Sequence, residues 1–522
     1  MSITEKVYRP MAGGVRLDMP PILLETSQSP LLENVQVKDM LCRLRPGTVL
    51  PSWTGAVDGS RILSGAGDVV RLGDFWQGDE ALQIIVHAVH ATGPTTRTFK
   101  ITGNVITELT GVTFTGSPSQ PFDFCTLPTQ ELYCFSNGVD RLTTYNGTGV
   151  NLTQIAAAPP GRYLTSFAGR PLIGYVEESG SWSRRIRWPR RDVVTDWTGT
   201  GSGFLDLDRS PGAIQNLKTL QNVCVAYQSD AISFLSETGS LSPVFKVEVF
   251  KKGRGLLLPF SLQDMGGVHV GVFDDDIYIM DTGGMQAIGN GIIRDVQRSL
   301  DMATRRQGWS VYNPTLKEYT FGFCTTGRHE TANVGFPDVA WTYNFATQSW
   351  FKQLISARSA CMYSRQTAMT IAGLIGEIQQ QTWRPNESAL SSGFPLPLLG
   401  RNGGKITTWD PSTGSDEGAA YTWKLRTKSD DFDAPATEKI VRRIRLRFER
   451  ASSGSITVRD SINDGSTFVQ TKYVTYSGSG GFADVFVDIH QSGLRHLIEL
   501  EGQTDFPLLE VGIEYSLGAW AR

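Results

Sequence analysis

The sequence predicts an all-β protein, an irregular β-propeller followed by a C-terminal β-sandwich, and three observations lead there. Short segments that alternate apolar and polar residues recur along the chain, each bounded by polar or glycine-rich turns. A loose signature, an aromatic strand end followed by a small polar turn, repeats at intervals that suit four-stranded propeller blades. Roughly the last hundred residues then change to closely spaced strands of the kind that build a sandwich.

Composition sets the frame. The 522 residues include 55 glycines and 25 prolines, which leaves little room for long helices. With 40% hydrophobic residues, a chain this long buries enough apolar surface to fold without disulfides or metals. Cys42, Cys125, Cys134, Cys224, Cys324 and Cys361 are scattered and form no Cys-x-x-Cys, so buried reduced thiols are expected. His87 and His90 have no further ligand candidates around them, so neither a metal nor another cofactor is expected. The formal net charge of −3 argues against a protein whose main task is gripping DNA, since that affinity comes from many neutralised phosphates. No apolar run approaches bilayer-crossing length, and MSITEKVYRPMAGG lacks the apolar stretch of a signal peptide. The sequons at Asn146, Asn151 and Asn386 are therefore expected to be chance matches.

In chain order, the strand-like segments are ALQIIVHAVHA (81–91), ELYCFS (131–136), RYLTSF (162–167), NVCVAYQ (222–228), VHVGVF (268–273) and EYTFGF (318–323). IIRDVQRSLDMATRRQ (292–307) breaks the pattern: Ile292, Ile293, Val296, Leu300 and Ala303 share one helical face, which predicts a helix of three or four turns. The turn signature appears as YNGTG (145–149), YQSD (227–230), FDDD (273–276), YNPT (312–315), YNFATQSW (343–350) and WDPSTG (409–414). Its spacing scatters around one or two multiples of the roughly 40–45 residues of a blade, and the two closest copies are expected within one blade. DPSTGSDEGAA (410–420) reads as a flexible, exposed boundary. Beyond it, KIVRRIRLRFER (439–450) puts Ile444, Leu446 and Phe448 on one strand face and Arg443, Arg445 and Arg447 on the other, a solvated or partner-facing surface. The expected divisions are an N-terminal extension leading into the first blade (1–80), a propeller with insertions (81–419) and the sandwich (420–522).

No catalytic constellation can be assembled from the sequence, and no enzyme activity is expected. SINDGSTF (461–468) resembles the Asp-box of sialidases with Asn463 at the Asp position, but that motif is a structural hairpin. Asp274–Asp276 could chelate a hard cation, yet their place between two strands reads as a solvated turn. DTGGMQAIGNG (281–291) holds no phosphate-binding Lys-Ser/Thr and reads as turns, and LSSGFPLPLLGRNGG (390–404) reads as an exposed contact loop because Phe394 and its leucines would otherwise be wasted in solvent.

The densest basic stretch is RRIRWPRRDVVTDW (184–197), with five arginines in eight positions between tryptophans. Strand alternation puts Trp182, Ile186 and Trp188 on one face and Arg185 and Arg187 on the other. Pro189 ends the strand, Arg190 and Arg191 fall on the turn, and Trp197 folds back onto the core. The tryptophans then have a packing role, structural for Trp188 and Trp197. Arg185, Arg187, Arg190 and Arg191 become candidates for subunit or DNA-channel contact, pairing mainly with acidic groups within or between subunits.

Several stretches together resemble the tail nozzle proteins of short-tailed bacteriophages, the tail tubular and packaged-DNA-stabilising proteins. These are GRYLTSFAGRPLIGY, RIRWPRRDVVTDWTGTGSGFLDL with its Ile186-Arg187-Trp188 unit and Trp197, and GAIQNLKTLQNVCVAYQSDAISFL. MLCRLRPGTVLPSW resembles their opening, where a strand carrying Arg-Pro-Gly enters the first blade, and KSDDFD, RRIRLRF and DGSTF look like their closing sandwich. The resemblance implies a non-catalytic virion protein of the tail, made in the bacterial host cytoplasm. It would form a hexameric ring below the portal and adaptor, meet tail fibre or tail plug proteins, and extend the DNA conduit. There it would retain the packaged genome and pass it on at infection, with only transient, non-specific contact to the passing double-stranded DNA. Two other classes stay open on the residues alone. One is a propeller that binds or cleaves glycans, which needs paired carboxylates in a cleft; the other is a cellular propeller scaffold for peptide partners.

Overall fold

The computed structural model describes residues 3–9, 13–38, 41–51, 53–55, 67–77, 82–89, 95–103, 105–327, 336–363, 395–449, 453–477 and 481–520. The chain is all-β. Its centre is a ring of seven antiparallel sheets, each beginning with an innermost strand: Asp68–Phe75, Asp123–Leu127, Gly161–Phe167, Ile214–Leu220, Gln263–Asp264, Trp309–Asn313 and Ser359–Tyr363. In each of the first six sheets, the next three strands follow outward in sequence order. Short hairpins make this the only economical route, since an antiparallel neighbour needs just a tight turn.

Apolar cores lie between neighbouring sheets rather than on one side of each. Val69, Leu72 and Ile84 of blade 1 pack against Tyr363, Leu398 and Ile406 of blade 7, and corresponding clusters join blades 1 to 2, 2 to 3 and so on around the ring. Blade strands are therefore covered on both faces. That is why Gln83–Val89 is buried almost throughout instead of alternating.

The turn signature has a physical basis that is not strictly a blade repeat. Asn313 Oδ1 accepts from the N–H groups of Thr315 and Leu316, and Asn344 Oδ1 from those of Ala346 and Thr347, closing the first and last hairpins of blade 6. Asn146 and Asp410 do the same for Thr148 and Ser412. An Asx turn can close any tight hairpin, so the signature marks more than one hairpin per blade, as in blade 6, and its spacing scatters. In the Asp-box-like segment, Asn463 Oδ1 accepts from Thr467 N–H and its amide donates to Thr467 Oγ1, a hairpin between strands Gly454–Ser461 and Gln470–Tyr476.

Ring closure departs from the sequence expectation. The Arg-Pro-Gly strand, Gly47–Val49, does not enter the first blade; it pairs antiparallel with Ile406–Asp410 and supplies the outer strand of blade 7. Blade 1 starts at Asp68, ahead of the expected 81. Residues 4–44 are not an extension either. Thr4–Tyr8 pairs with Leu508–Trp520, Val35–Lys38 and Leu41–Leu44 join the same sheet, and Leu32–Glu33 lies beside Trp423–Arg426 in the second sheet. The sandwich is thus built from both ends of the chain, because the apolar faces of the C-terminal strands need partners that the last hundred residues do not supply. It joins the propeller through blade 6, where Glu33 bridges Lys352 on the outer strand Ser349–Leu354.

Three more expectations change. The segment 410–420 is not a free linker: Ser415–Asp416 runs parallel to Gly47–Val49, and Glu417 pairs with Arg401 and Lys405. A Cβ at Gly47 would sit 2.2 Å from the Ser415 carbonyl oxygen, so that approach requires glycine. Within 390–404, Leu396–Gly400 is an interior strand of blade 7 with Leu398 and Leu399 fully buried, while Phe394 lies outside the described residues. The helix spans Ile293–Ser299 only, about two turns. It stops because Leu300 bridges Thr325 and Asp301 N–H donates to the Cys324 carbonyl, which draws the chain back to the sheet.

All six cysteines are buried thiols without disulfides. His87 is enclosed against Phe122, at 4.3 Å between ring centroids, with Nδ1 3.1 Å from Thr98 Oγ1; His90 lies outside the described residues. Arg45 is the centre of the junction. Its side chain is fully buried and donates to Asn34 Oδ1 (2.9 Å), the carbonyls of Pro46 (2.8 Å) and Leu354 (3.0 Å), and both oxygens of Asp416 (3.1 and 2.5 Å). Tyr421 lies under the guanidinium at 3.8 Å and donates its hydroxyl to the Arg45 carbonyl.

Arg45→Met is expected to lower unfolding free energy by about 3–5 kcal/mol, because it leaves the Asp416 carboxylate and several acceptors without their donor. Urea unfolding of the full chain measures it; a loss under about 1 kcal/mol would show that the junction does not depend on this group. Burial also holds His87 at about 3 and His269 at about 4. Both are depressed below the unfolded value of about 6.5, so the unfolded chain takes up protons first, and this stability is full above that value and lost as pH falls toward 4. Melting temperatures between pH 7.5 and 4.5 should fall less steeply for the His87→Gln/His269→Gln variant than for the parent.

Candidate functional site

Strand Ser181–Trp188 is the third of blade 3 and pairs on its outer side with Gly203–Asp206. Ile186 and Trp188 point into the core between blades 3 and 4, where Trp188 meets Phe245 edge-on at 4.8 Å. Trp197 is buried between blades 2 and 3, its Nε1 donating to the Val194 carbonyl at 2.8 Å.

Trp182 does not join them. The register slips between Gly174, opposite Ile186, and Val176, opposite Trp182, so the strand carries extra residues there and its alternation resets. Trp182 is consequently 45% exposed and stands on the arginine side. There the Arg185 guanidinium lies 3.9 Å from the Trp182 ring and 4.1 Å from that of Phe204, held between two aromatic faces. Its Nε and Nη2 donate to the two oxygens of Asp206 at 2.8 and 2.7 Å, a bidentate pair between directly opposed residues. That hydrogen bonding pulls the Asp206 carboxyl below the ordinary carboxylate range and raises Arg185.

The other arginines are also met within the chain, more loosely. Arg187 is 3.4 Å from Glu178, Arg184 is 3.6 Å from Asp208, and Arg191 lies 3.7 Å from Asp192 and 3.9 Å from Glu237. Arg190 is exposed and makes no ion pair among the described residues. The stretch therefore presents aromatic surface with its charge largely neutralised. Phe204 is 54% exposed, Leu241 lies near Gly201 at the same end, and a cleft of about 370 Å³ lined by Asp206, Asp208, Arg209, Gln228 and Lys246 opens toward blade 4. Phe204 and Asp206 escape a reading focused on the basic run. Their signal was the alternation in GFLDL, whose outward Phe and Asp face the outward arginines of the partner strand.

A second surface lies on the sandwich. Gln470–Tyr476 and Phe482–Gly493 end their two sheets, and Tyr473, Phe482 and Phe486 stand exposed on them. Ile444, Leu446 and Phe448 are buried, while Arg443, Arg445 and Arg447 line the opposite face. Arg443 pairs with Asp488 at 2.8 Å and lies over Phe486; Arg445 reaches Glu5 and Glu510 at 2.7 Å each and Asp484 at 3.2 Å. Here too the cations are matched by the chain's own carboxylates. Blade 6 carries the sandwich and blade 3 carries the arginine strand, three places apart in a ring of seven. Among the described residues, no group of three or more His, Cys, Asp or Glu side chains is arranged to hold a metal.

No protein-family model matches the chain, and no curated protein sequence matches it significantly. Among solved structures, Raptor from Chaetomium thermophilum aligns with 70% of this chain at a TM-score of 0.35 and 10% identity. The aligned part covers 28% of the Raptor chain.

Packing and charge at this strand should separate on mutation. Trp188→Ala opens a cavity beside Phe245 and should cost about 3–5 kcal/mol. Arg185→Gln, which removes a partly solvated pair, should cost about 1–2 kcal/mol. Equal losses in urea unfolding would mean that the ion pair secures the strand as much as the tryptophan does.

Proposed function

We propose that this chain is a structural virion protein, a subunit of the tail nozzle ring of a short-tailed bacteriophage. It extends the DNA conduit below the portal and adaptor, retains the packaged genome and lets it pass at infection. The sequence resemblance supports this reading, and one structural observation carries it: two unlike aromatic surfaces on separate parts of one closely stitched body, blade 3 and the sandwich. A ring forms from heterologous contacts, in which one patch of each subunit meets a different patch of the next. The blade 3 surface around Trp182 and Phe204 and the sandwich edge around Tyr473, Phe482 and Phe486 are such a pair.

Charge fits the same role. A conduit must let DNA slide, and each neutralised phosphate would deepen binding. Arginines already paired with Asp206, Glu178 and Asp488 are poor phosphate grips. Arg190, exposed and unpaired among the described residues, and Arg191 are the members of the basic stretch best placed to reach a neighbouring subunit.

Negative-stain microscopy of the purified protein, alone and with portal–adaptor complexes, tests the reading. A six-fold annulus is expected, lost in Phe204→Asp and in Phe482→Asp/Phe486→Asp while each variant keeps its thermal transition. A monodisperse monomer that hydrolyses polysaccharide would replace the proposal with a glycan-active propeller.

A further inference from the structure

The innermost strands of all seven blades enclose a channel of about 570 Å³, a volume within the range of small-molecule sites. Most neutral polar groups of its wall are already engaged. Thr219 Oγ1 donates to the Ser166 carbonyl at 2.5 Å, Ser310 Oγ to the Phe260 carbonyl at 2.7 Å, Gln263 Nε2 to the Ser310 carbonyl at 2.9 Å and Asn216 Nδ2 to the Pro259 carbonyl at 2.6 Å.

The two cations of the wall are held less closely. Arg71 makes no hydrogen bond among the described residues, and its Nε is buried without a partner. The guanidinium is backed by the Phe260 ring at 4.4 Å and the Phe124 ring at 5.8 Å, and its nearest carboxylate, Asp123, stops at 3.8 Å. Asp123 has turned away: its Oδ2 accepts the Leu164 N–H at 2.9 Å, and burial pushes its carboxyl above the usual range. Lys218 faces the same channel, close enough to act electrostatically on Asp123, and makes neither an ion pair nor a hydrogen bond among the described residues. A largely buried guanidinium with Nε unpaired and its carboxylate beyond hydrogen-bonding distance is costly unless something else supplies oxygen atoms.

Charge balance limits what that can be. Asp74 and Asp264 also line the channel, both exposed, and Asp264 Oδ1 is occupied by the Gly266 and Gly267 N–H groups. Those carboxylates repel a polyanion, whereas a single negative group set between the two cations is favoured. We infer that the channel binds a small, singly charged oxyanion, a carboxylate or phosphodiester group, held between Arg71 and Lys218. Phe124 and Met362 give its organic part an apolar wall. This site is independent of the ring reading, and either can fail without the other.

The protein is titrated calorimetrically with sodium benzoate and, separately, with dimethyl phosphate; saturable binding of either supports the site, and the tighter probe names the source of the oxyanion. Lys218→Gln should weaken that binding by about tenfold or more while leaving the thermal transition of the free protein in place. Arg71→Lys, which keeps a charge but removes the planar fork, should weaken it as well. No saturable binding of either probe, or equal binding by the parent and Lys218→Gln, overturns the inference.

Discussion

Arg45 holds together segments that are far apart in sequence. Its guanidinium reaches Asn34 between two strands of the sandwich, Leu354 on the outer strand of blade 6, and Asp416 in the strand that follows blade 7. Such a cation is fully desolvated, which would be prohibitive if any of its donors were idle. Here they are met by oxygens from three directions, and Tyr421 covers the ring-facing side. The arrangement works only when all three segments are in place. Ring closure by Gly47–Val49 and docking of the sandwich are therefore linked events.

That closure also settles the problem of exposed sheet edges. A row of small sheets set in a ring buries its faces between blades, and the last blade borrows a strand from the start of the chain. Among the strands left at sheet edges are the outer strand of blade 3 and the two end strands of the sandwich. Aromatic side chains collect at those places, Phe204 and Trp182 at one and Tyr473, Phe482 and Phe486 at the other. Arginines lie beside them, stacked and paired with carboxylates one strand away, so the surfaces are apolar in effect although basic in sequence.

The channel differs from these surfaces in kind. On the outside, Arg185 and Arg445 find carboxylates across a strand pair at hydrogen-bonding distance. Inside, Arg71 and Asp123 come from different blades, whose spacing is set by the apolar cores between them, and they meet only at 3.8 Å. Arg170 of blade 3 does reach Glu237 of blade 4 at 3.0 Å, so it is the spacing at this one pair that leaves a buried charge short of its partner.

Much of the architecture was legible in the sequence, because hydrophobic periodicity and turn chemistry are local. The short strands, the Asx hairpins of YNPT and YNFATQSW, the buried faces of Ile186–Trp188 and of Ile444, Leu446 and Phe448, and the Asp-box-like hairpin follow from residues within about ten positions of one another. Tertiary structure decided whatever depends on a distant partner. Gly47–Val49 closes blade 7 because Ile406–Asp410 offers an open edge, and LPLLG is a buried strand because two neighbours cover it. The helix after Ile292 stops short because Leu300 finds Thr325. Trp182 turns outward because a bulge in a strand pair resets alternation. In each case the local pattern permits two outcomes, and a hydrogen bond or apolar contact with a residue remote in sequence selects between them.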